Sequence, residues 1–415
     1  MKKYTMETTV GIFVVIGLIC VGYMTVKLGK VSFFKSDTYT IYARFASVSA
    51  LRVGGTVEVY GIAVGSVKSL GIDSDRQMAL VGMSIKKDVN IYDDASASIK
   101  TSGLIGDKLV KIDPIPILLE RAPLPIRYFT AERFLSHDNE LVEQLRRDLQ
   151  FFKPRERLLA TQQEDGLWKL NKNYKIEEQQ KSMQFLLQLQ NMMQLLDYGC
   201  TKDMPAIQRG LIAILKYQKP DGKFPLLQHH QGLTLWLLVR YGLAGNPFVE
   251  KGFRWLAKRQ REDGGWLSPT MLATGESAKT ARSGIWTTLV ITQAFSAHSR
   301  LRNTETCQRA ANFLLNVYLQ QNHTTLFPEP DAWNHLYIDY SENGLFRGGT
   351  LRFLETLTPL PNYHSHPNFK KALDWLIGQQ LPSGLWPAIA GRSKEGDYAV
   401  TFRVMVVLSE IDRIG

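Results

Sequence analysis

Residues 260–266 read QREDGGW, and the same signature recurs as QQEDGLW at 162–168, QKPDGKF at 218–224 and QLPSGLW at 380–386. Counting a degenerate copy at Gln320 to Phe327, the copies lie roughly 40 to 60 residues apart, the period of an array of supersecondary units. An amphipathic stretch precedes the signal, as in LIAILKY, FRWLAKR and ALDWLIG. A more apolar one follows it, as in LTLWLLVRYGL, GIWTTLVITQAF, TLRFLETL and VTFRVMVVLSEI. Helix pairs joined through a glycine turn predict an α/α toroid or a solenoid. In that reading the glycine supplies the positive φ of the turn, and the tryptophan fills the gap between neighbouring pairs.

Upstream of Pro114 the apolar period is that of strands. TYTIYARF alternates Tyr39, Ile41 and Ala43 against Thr40, Tyr42 and Arg44. VEVYGIAVGSVKSL alternates Val57 and Val59, then Ile62, Val64 and Val67, with Gly61 and Gly65 at expected bulges or bends. ALVGMSI, SASIK and KLVKI continue the pattern, so a small barrel or sandwich is expected. In TSGLIGDKLVKIDP the pair Leu104–Ile105 stands between Gly103 and Gly106 at the tip of a turn. Turn tips are ordinarily polar, so the pair is either an interaction surface or one member tucks into the barrel core.

Nearer the start, Thr9 to Val26 read TVGIFVVIGLICVGYMTV without a charge. That approaches the roughly 20 residues a bilayer span requires. The competing reading is a cleaved signal peptide, but the bulky continuation MTVKLGKVSFF fits an uncleaved anchor better. Lys2 and Lys3 precede the run and Lys27, Lys30 and Lys35 follow it, so the positive-inside rule does not orient it.

The 415 residues suffice for several domains, and a hydrophobic share of 44% is ordinary for folded protein. The net charge of +11 is read as solubility or as attraction to anionic lipid head groups. No polybasic run or zinc-finger spacing points to nucleic acid. The cysteines Cys20, Cys200 and Cys307 form no framework, and a Cys200–Cys307 bridge is open but unsupported.

The N-terminal blocks resemble the MCE domain of MlaD-type proteins. A GxxVxVxGIxVGxV pattern is carried by Gly54, Val57, Val59, Gly61, Val64, Gly65 and Val67, and a second block by Thr101 to Asp107. The resemblance implies a small β-barrel forming homo-hexameric rings on the bacterial inner membrane, single-pass and facing the periplasm. It implies phospholipid passing through a central pore, with the permease and ATPase subunits of an ABC-type transport system as partners. In the family the pore is lined by a loop whose Leu-Leu pair matches Leu104 and Ile105. The family carries a last strand and a bundling helix at this point, whereas here Ile112-Asp113-Pro114 runs straight into new sequence.

The repeat motif resembles that of squalene cyclases and the protein prenyltransferase β-subunit. ILLERAPLPIRYFTAERFL and FRGGTLRFLETL are similar to bacterial members of this terpenoid-toroid group, and the likeness covers about residues 115–412. Chemistry does not come with it. No Asp-x-Asp-Asp acid occurs in the toroid, and neither Cys200 nor Cys307 lies in a prenyltransferase zinc motif. No cofactor, metal or catalytic residue is assigned.

The candidate cavity residues are His229 and His230 at an inner-helix start, Trp236 and Trp286 on inner helices, and Asp397, Tyr398 and Arg403 on the last one. The histidines could polarise a ligand or bind a metal, or be caps or core groups. Asp397 reads chiefly as a cap, while Asp339 could act as a general acid if buried.

The expected fold is therefore multidomain α+β: a tail at 1–8, a transmembrane anchor at 9–26, an MCE β-barrel at 38–113 and an α/α toroid at 115–415. A lipid-transport and binding protein is the leading expectation. A terpenoid or prenyl-chain transforming enzyme on a membrane tether is the alternative, and an accidental fusion the third reading.

Overall fold

The structure is a computed structural model that describes residues 10–11, 13–17, 37–45, 48, 51–59, 62–73, 78–87, 89, 91, 96–102, 107–136, 139–171, 175–267, 277–279, 281–319, 331–341, 344–381 and 383–414. Its contacts divide the chain into two units, Met1–Val57 with Val64–Asn90 and Glu58–Ala63 with Ile91–Gly415.

In the first unit, β1 (Thr38–Phe45) pairs antiparallel with β4 (Met78–Lys86) from Thr38↔Lys86 to Phe45↔Ala79. Strand β3 (Ile62–Asp73) lies on the other side of β4, and β2 (Thr56–Val59) follows it in the sheet order. At alternate positions of β4, Val81, Met83 and Ile85 are buried, and Val67 of β3, also buried, pairs with Met83. Period-two burial of this kind turns one face of the sheet inward. Gly65 pairs with Ile85, and a Cβ there would stand 2.0 Å from the Ser84 carbonyl oxygen. Only glycine admits that approach. The register then shifts between Val67 and Ser69, a bulge.

The N-terminal apolar run is described only in part. Residues 10–11 and 13–17 are helical, and Val10, Phe13, Val14, Val15 and Ile16 are exposed. Among the described residues no helix is long and apolar enough to cross a membrane.

The second unit opens with the hairpin β5 (Ser96–Ser102) and β6 (Asp107–Asp113), registered from Ser96↔Asp113 to Ser102↔Asp107. Its tip, with Leu104 and Ile105, lies outside the described residues. Strand β6 passes through Pro114 directly into α1 (Ile115–Arg121), which α2 (Leu124–Phe134) and α3 (Glu140–Asp148) follow. Proline in the first turn suits a helix start, because the missing N–H has no partner there in any case.

From there outer and core helices alternate. The outer ones are α4 (Lys153–Ala160), α6 (Pro205–Lys216), α8 (Pro247–Ala257), α10 (Glu305–Val317) and α12 (Pro367–Ile377). The core ones are α5 (Glu177–Asp197), α7 (Gln228–Arg240), α9 (Ile285–Ala297), α11 (Gly349–Leu357) and α13 (Tyr398–Ile414). Outer helices bury one stripe, as Ile207, Gly210, Leu211 and Ile214 do in α6. Core helices are packed on nearly every side, and within α9 only Trp286 and Ala297 keep notable exposure. The core helices touch in chain order, α5 to α7, α7 to α9, α9 to α11 and α11 to α13. Cys200 and Cys307 are buried and free, so the bridge left open by the sequence does not form.

Candidate functional site

The repeated signature builds the frame. Each motif glutamine donates back to its own turn: Gln162 to the Gly166 carbonyl at 3.1 Å, Gln218 to Gly222 at 3.0 Å, Gln260 to Gly264 at 2.8 Å and Gln380 to Gly384 at 2.6 Å. Three of the same amides also reach the next outer helix, at the carbonyls of Ala206, Phe248 and Thr306. The tryptophan indoles of 168, 266 and 386 donate to the carbonyls of Leu158, Leu256 and Leu376 at the end of the preceding outer helix. Gly166, Gly222 and Gly264 take φ of +86°, +100° and +88°. A Cβ on them would stand 2.4 to 2.6 Å from the carbonyl oxygens of Arg209, Lys251 and Arg309. The motif is thus a clamp between successive helix pairs. Its polar groups are consumed in holding the frame.

The frame leaves particular side chains accessible along the core helices. On α7 they include His229 and Trp236, on α9 Trp286, and on α11 Glu355. His229 and Trp236 are spaced to share one face of α7. Phe346, buried in the segment before α11, packs edge-on against His229 at 4.4 Å, His230 at 5.0 Å and Trp286 at 6.3 Å between ring centroids. Burial lowers the His229 pKa to about 4, and burial with the neighbouring His229 lowers His230 to about 2, so both rings are neutral near pH 7. Among the described residues neither ring nitrogen of His230 has a hydrogen-bond partner.

Arg352 of α11 is 1% exposed and lies over the Trp286 ring, its guanidinium carbon 5.6 Å from the centroid. One terminal nitrogen donates to the Leu345 and Arg347 carbonyls at 2.7 and 2.8 Å, while the buried Nε finds no acceptor among the described residues. Burial, with Arg403 nearby, drives its pKa down to about 9. Arg403 is matched instead. It forks onto both Glu355 oxygens at 2.7 Å and donates to the Leu336 carbonyl at 3.0 Å. Burial works against the Arg403 charge, but Glu355 outweighs it and holds the guanidinium above its ordinary value.

Beside this pair stands Asp197, at the end of α5, which accepts the Tyr340 hydroxyl. Asp197 keeps exposed surface although protein crowds its carboxylate. Burial raises its carboxyl pKa, while the Tyr340 bond and the charges of Arg403 and Arg240 pull it down. The carboxylate thus ties the first core helix to the segment preceding α11, within the field of Arg403 on the last core helix.

The structure places the sequence candidates unevenly. His229, His230 and Trp286 come together around Phe346. Trp236 is partly buried against the main core. Asp397 is a cap, accepting the Val400 amide at 2.9 Å. Tyr398 packs beside Ile117, Leu118 and Leu385, apart from the histidine cluster. Asp339 turns onto the Ser341 amide at 2.8 Å, the geometry of a local turn. Sequence reading missed Asp197, Tyr340, Arg352 and Glu355. A signal existed for three of them: Arg352 and Glu355 are charges inside the apolar run TLRFLETL, and an acid ending α5 opposes the helix dipole. Tyr340 carried none. No cluster among the described residues brings together three side chains of the metal-binding type.

Residues 37–115 match the family model described as MlaD protein. The chain is 31% identical over 109 residues to the intermembrane phospholipid transport system binding protein MlaD of Escherichia coli (strain K12), covering 26% of this chain and 60% of that one. It is 28% identical over 108 residues to the MlaD of Haemophilus influenzae, covering 26% and 65%. The match thus spans less than two thirds of these relatives. Among solved structures, a chain of the Acinetobacter MlaFEDB complex in an ATP-bound conformation is 24% identical, covering 26% of this chain and 83% of that one, with a TM-score of 0.23. The type II terpene cyclase MstE from Scytonema is 13% identical, covering 66% and 100%, with a TM-score of 0.26. Scores this low say nothing about mechanism. The strand-bearing segment is an MlaD-type domain, and the sequence match carries that statement.

Proposed function

We propose that the chain is a lipid-transport component of the bacterial inner membrane, anchored through Thr9–Val26, with its MCE barrel and helical toroid in the periplasm. The MlaD match over residues 37–115 carries this reading. The barrel takes up phospholipid and passes it between membranes, together with ABC permease and ATPase subunits, in a hexameric ring whose pore carries Leu104 and Ile105. The toroid binds an apolar ligand. The ring contact of Trp286 with Phe346, and Trp236 on the accessible face of α7, support that, since sites with apolar walls and few polar groups suit such ligands.

Mass spectrometry of lipids extracted from the purified full chain tests the proposal. Co-purified phospholipid, exchangeable with labelled vesicles, is the expected result. A lipid-free chain that exchanges nothing would remove it.

A second reading, a prenyl-chain transforming enzyme, is favoured by Asp197, an acid of raised pKa beside Tyr340. It demands cyclic or transferred products from squalene, geranylgeranyl diphosphate or farnesyl diphosphate that vanish in Asp197→Asn.

A further inference from the structure

Buried polar groups in folded proteins are nearly always satisfied, and each exception asks for an explanation such as a bound molecule. Three such atoms here belong to two residues that lie against one aromatic pair. Both ring nitrogens of His230 and the Nε of Arg352 are buried without a partner among the described residues. His230 is 5% and Arg352 1% exposed. The two residues meet the same aromatic pair: Phe346 lies against His230 and Trp286, and Arg352 lies over Trp286. Leaving such groups unpaired forfeits the hydrogen bonds they made to water.

The charge distribution says what kind of partner is missing. Arg403 has Glu355 in a two-pronged ion pair. Arg352, buried more deeply, has no carboxylate within ion-pair distance among the described residues, and its guanidinium rests on two carbonyls and an indole face. An unpaired buried cation is strongly disfavoured until an anion reaches it. The neutral His230 can donate one hydrogen bond to the same anion. His229 and Trp286, both partly exposed, flank the buried pair and offer a way in. Trp236 continues the accessible face of α7 beyond His229.

We infer that the interior of the helical unit holds an anionic amphiphile, with its head group on Arg352 and His230 and its hydrocarbon chain along Trp286 and Trp236. This rests on the reading that the unit binds an apolar ligand, and it adds the negative head. The shared chemistry is one acidic oxygen head on a long alkyl chain. A free fatty acid and an anionic phospholipid both supply it.

The test uses the full chain in detergent with a dansyl fatty-acid probe, displaced in turn by oleate, dioleoylphosphatidylglycerol and oleyl alcohol. Oleate or phosphatidylglycerol should displace the probe at concentrations at least about tenfold below the alcohol, a difference of about 1.4 kcal/mol. Whichever of the two succeeds identifies the source. The preference should vanish in Arg352→Gln and survive in Arg352→Lys, and His230→Phe should weaken it. If acid and alcohol displace equally, the anionic head is wrong and the apolar site stands. If the probe does not bind at all, both readings fall. A preference unchanged in folded Arg352→Gln also overturns the assignment, because the anion then sits elsewhere. Should Arg352→Gln fail to fold, the acid-against-alcohol comparison on the unaltered chain together with His230→Phe still decides.

Discussion

The Tyr340 hydroxyl donates to the Asp197 carboxylate across 143 residues of chain. Asp197 ends the first core helix, and Tyr340 sits in the segment that leads into the fourth. Arg403 of the last core helix contributes its charge to the same carboxylate. One acidic group therefore gathers three distant parts of the helical unit.

Replacing Tyr340 with Phe removes that tie and leaves the carboxylate without its hydroxyl donor. The full chain should lose about 1 kcal/mol of stability, the ordinary worth of such a bond. Thermal unfolding followed by tryptophan fluorescence reads the change. A melting curve identical to that of the unaltered chain would show that the bond holds nothing.

Asp197 should also impose a pH dependence. Its folded pKa is raised above the ordinary 3.8. The folded chain therefore keeps this proton at pH values where the unfolded chain has released it. Its stabilising contribution is full below the ordinary value, is lost as pH rises through the raised one, and stays level above. Asp197→Asn keeps an acceptor for Tyr340 and cannot ionise, so that slope should disappear. Urea midpoints of both chains across this pH range are the measurement, and parallel curves would refute the assignment.

The clamp predicts an asymmetry between two neighbouring residues. Gly264→Ala places a Cβ about 2.5 Å from the Arg309 carbonyl oxygen and forces an alanine to φ +88°. The left-handed conformation alone costs about 1–2 kcal/mol for a residue with a side chain, and the clash adds to it. Glu262→Ala, two residues earlier and exposed, should fall within about 0.5 kcal/mol of neutral. Chemical denaturation of the two variants side by side checks the order.

Breaking the fork between Arg403 and Glu355 should be costly. Glu355→Gln leaves Arg403, about one fifth exposed, without its counter-charge. A hydrogen bond to a charged group is worth about 1.5–3 kcal/mol, so the melting temperature should fall clearly. Glu355→Gln combined with Arg403→Met should recover part of the loss, because no unpaired charge remains. A double variant as unstable as the sum of the singles would argue that the two residues act separately.

For the N-terminal half, Leu104→Asn with Ile105→Asn should abolish lipid transfer between vesicles while circular dichroism stays unchanged, since a turn tip tolerates polar residues. Loss of the strand signal would instead make the pair part of the core. Alkaline carbonate washing should leave the full chain with the membranes, and its release would remove the anchor.

The helix pairs and the strand module were legible from the sequence because their causes are local. A glutamine four residues before a glycine closes a turn wherever the chain goes, and alternating apolar residues such as Val81, Met83 and Ile85 bury one face of a strand. The pairing of His229 with His230 was legible too, since neighbours in sequence at a helix start remain neighbours in space. Packing decided the rest. Asp397 and Asp197 are both acids at helix ends, yet Asp397 is consumed by the Val400 amide while Asp197 faces Tyr340. Arg352 and Glu355 lie three residues apart, a spacing at which helical charges can pair, but the fold gives Glu355 to Arg403 and leaves Arg352 among carbonyls and an indole. Those choices depend on how five core helices come together, a long-range balance of burial against charge that no local pattern records.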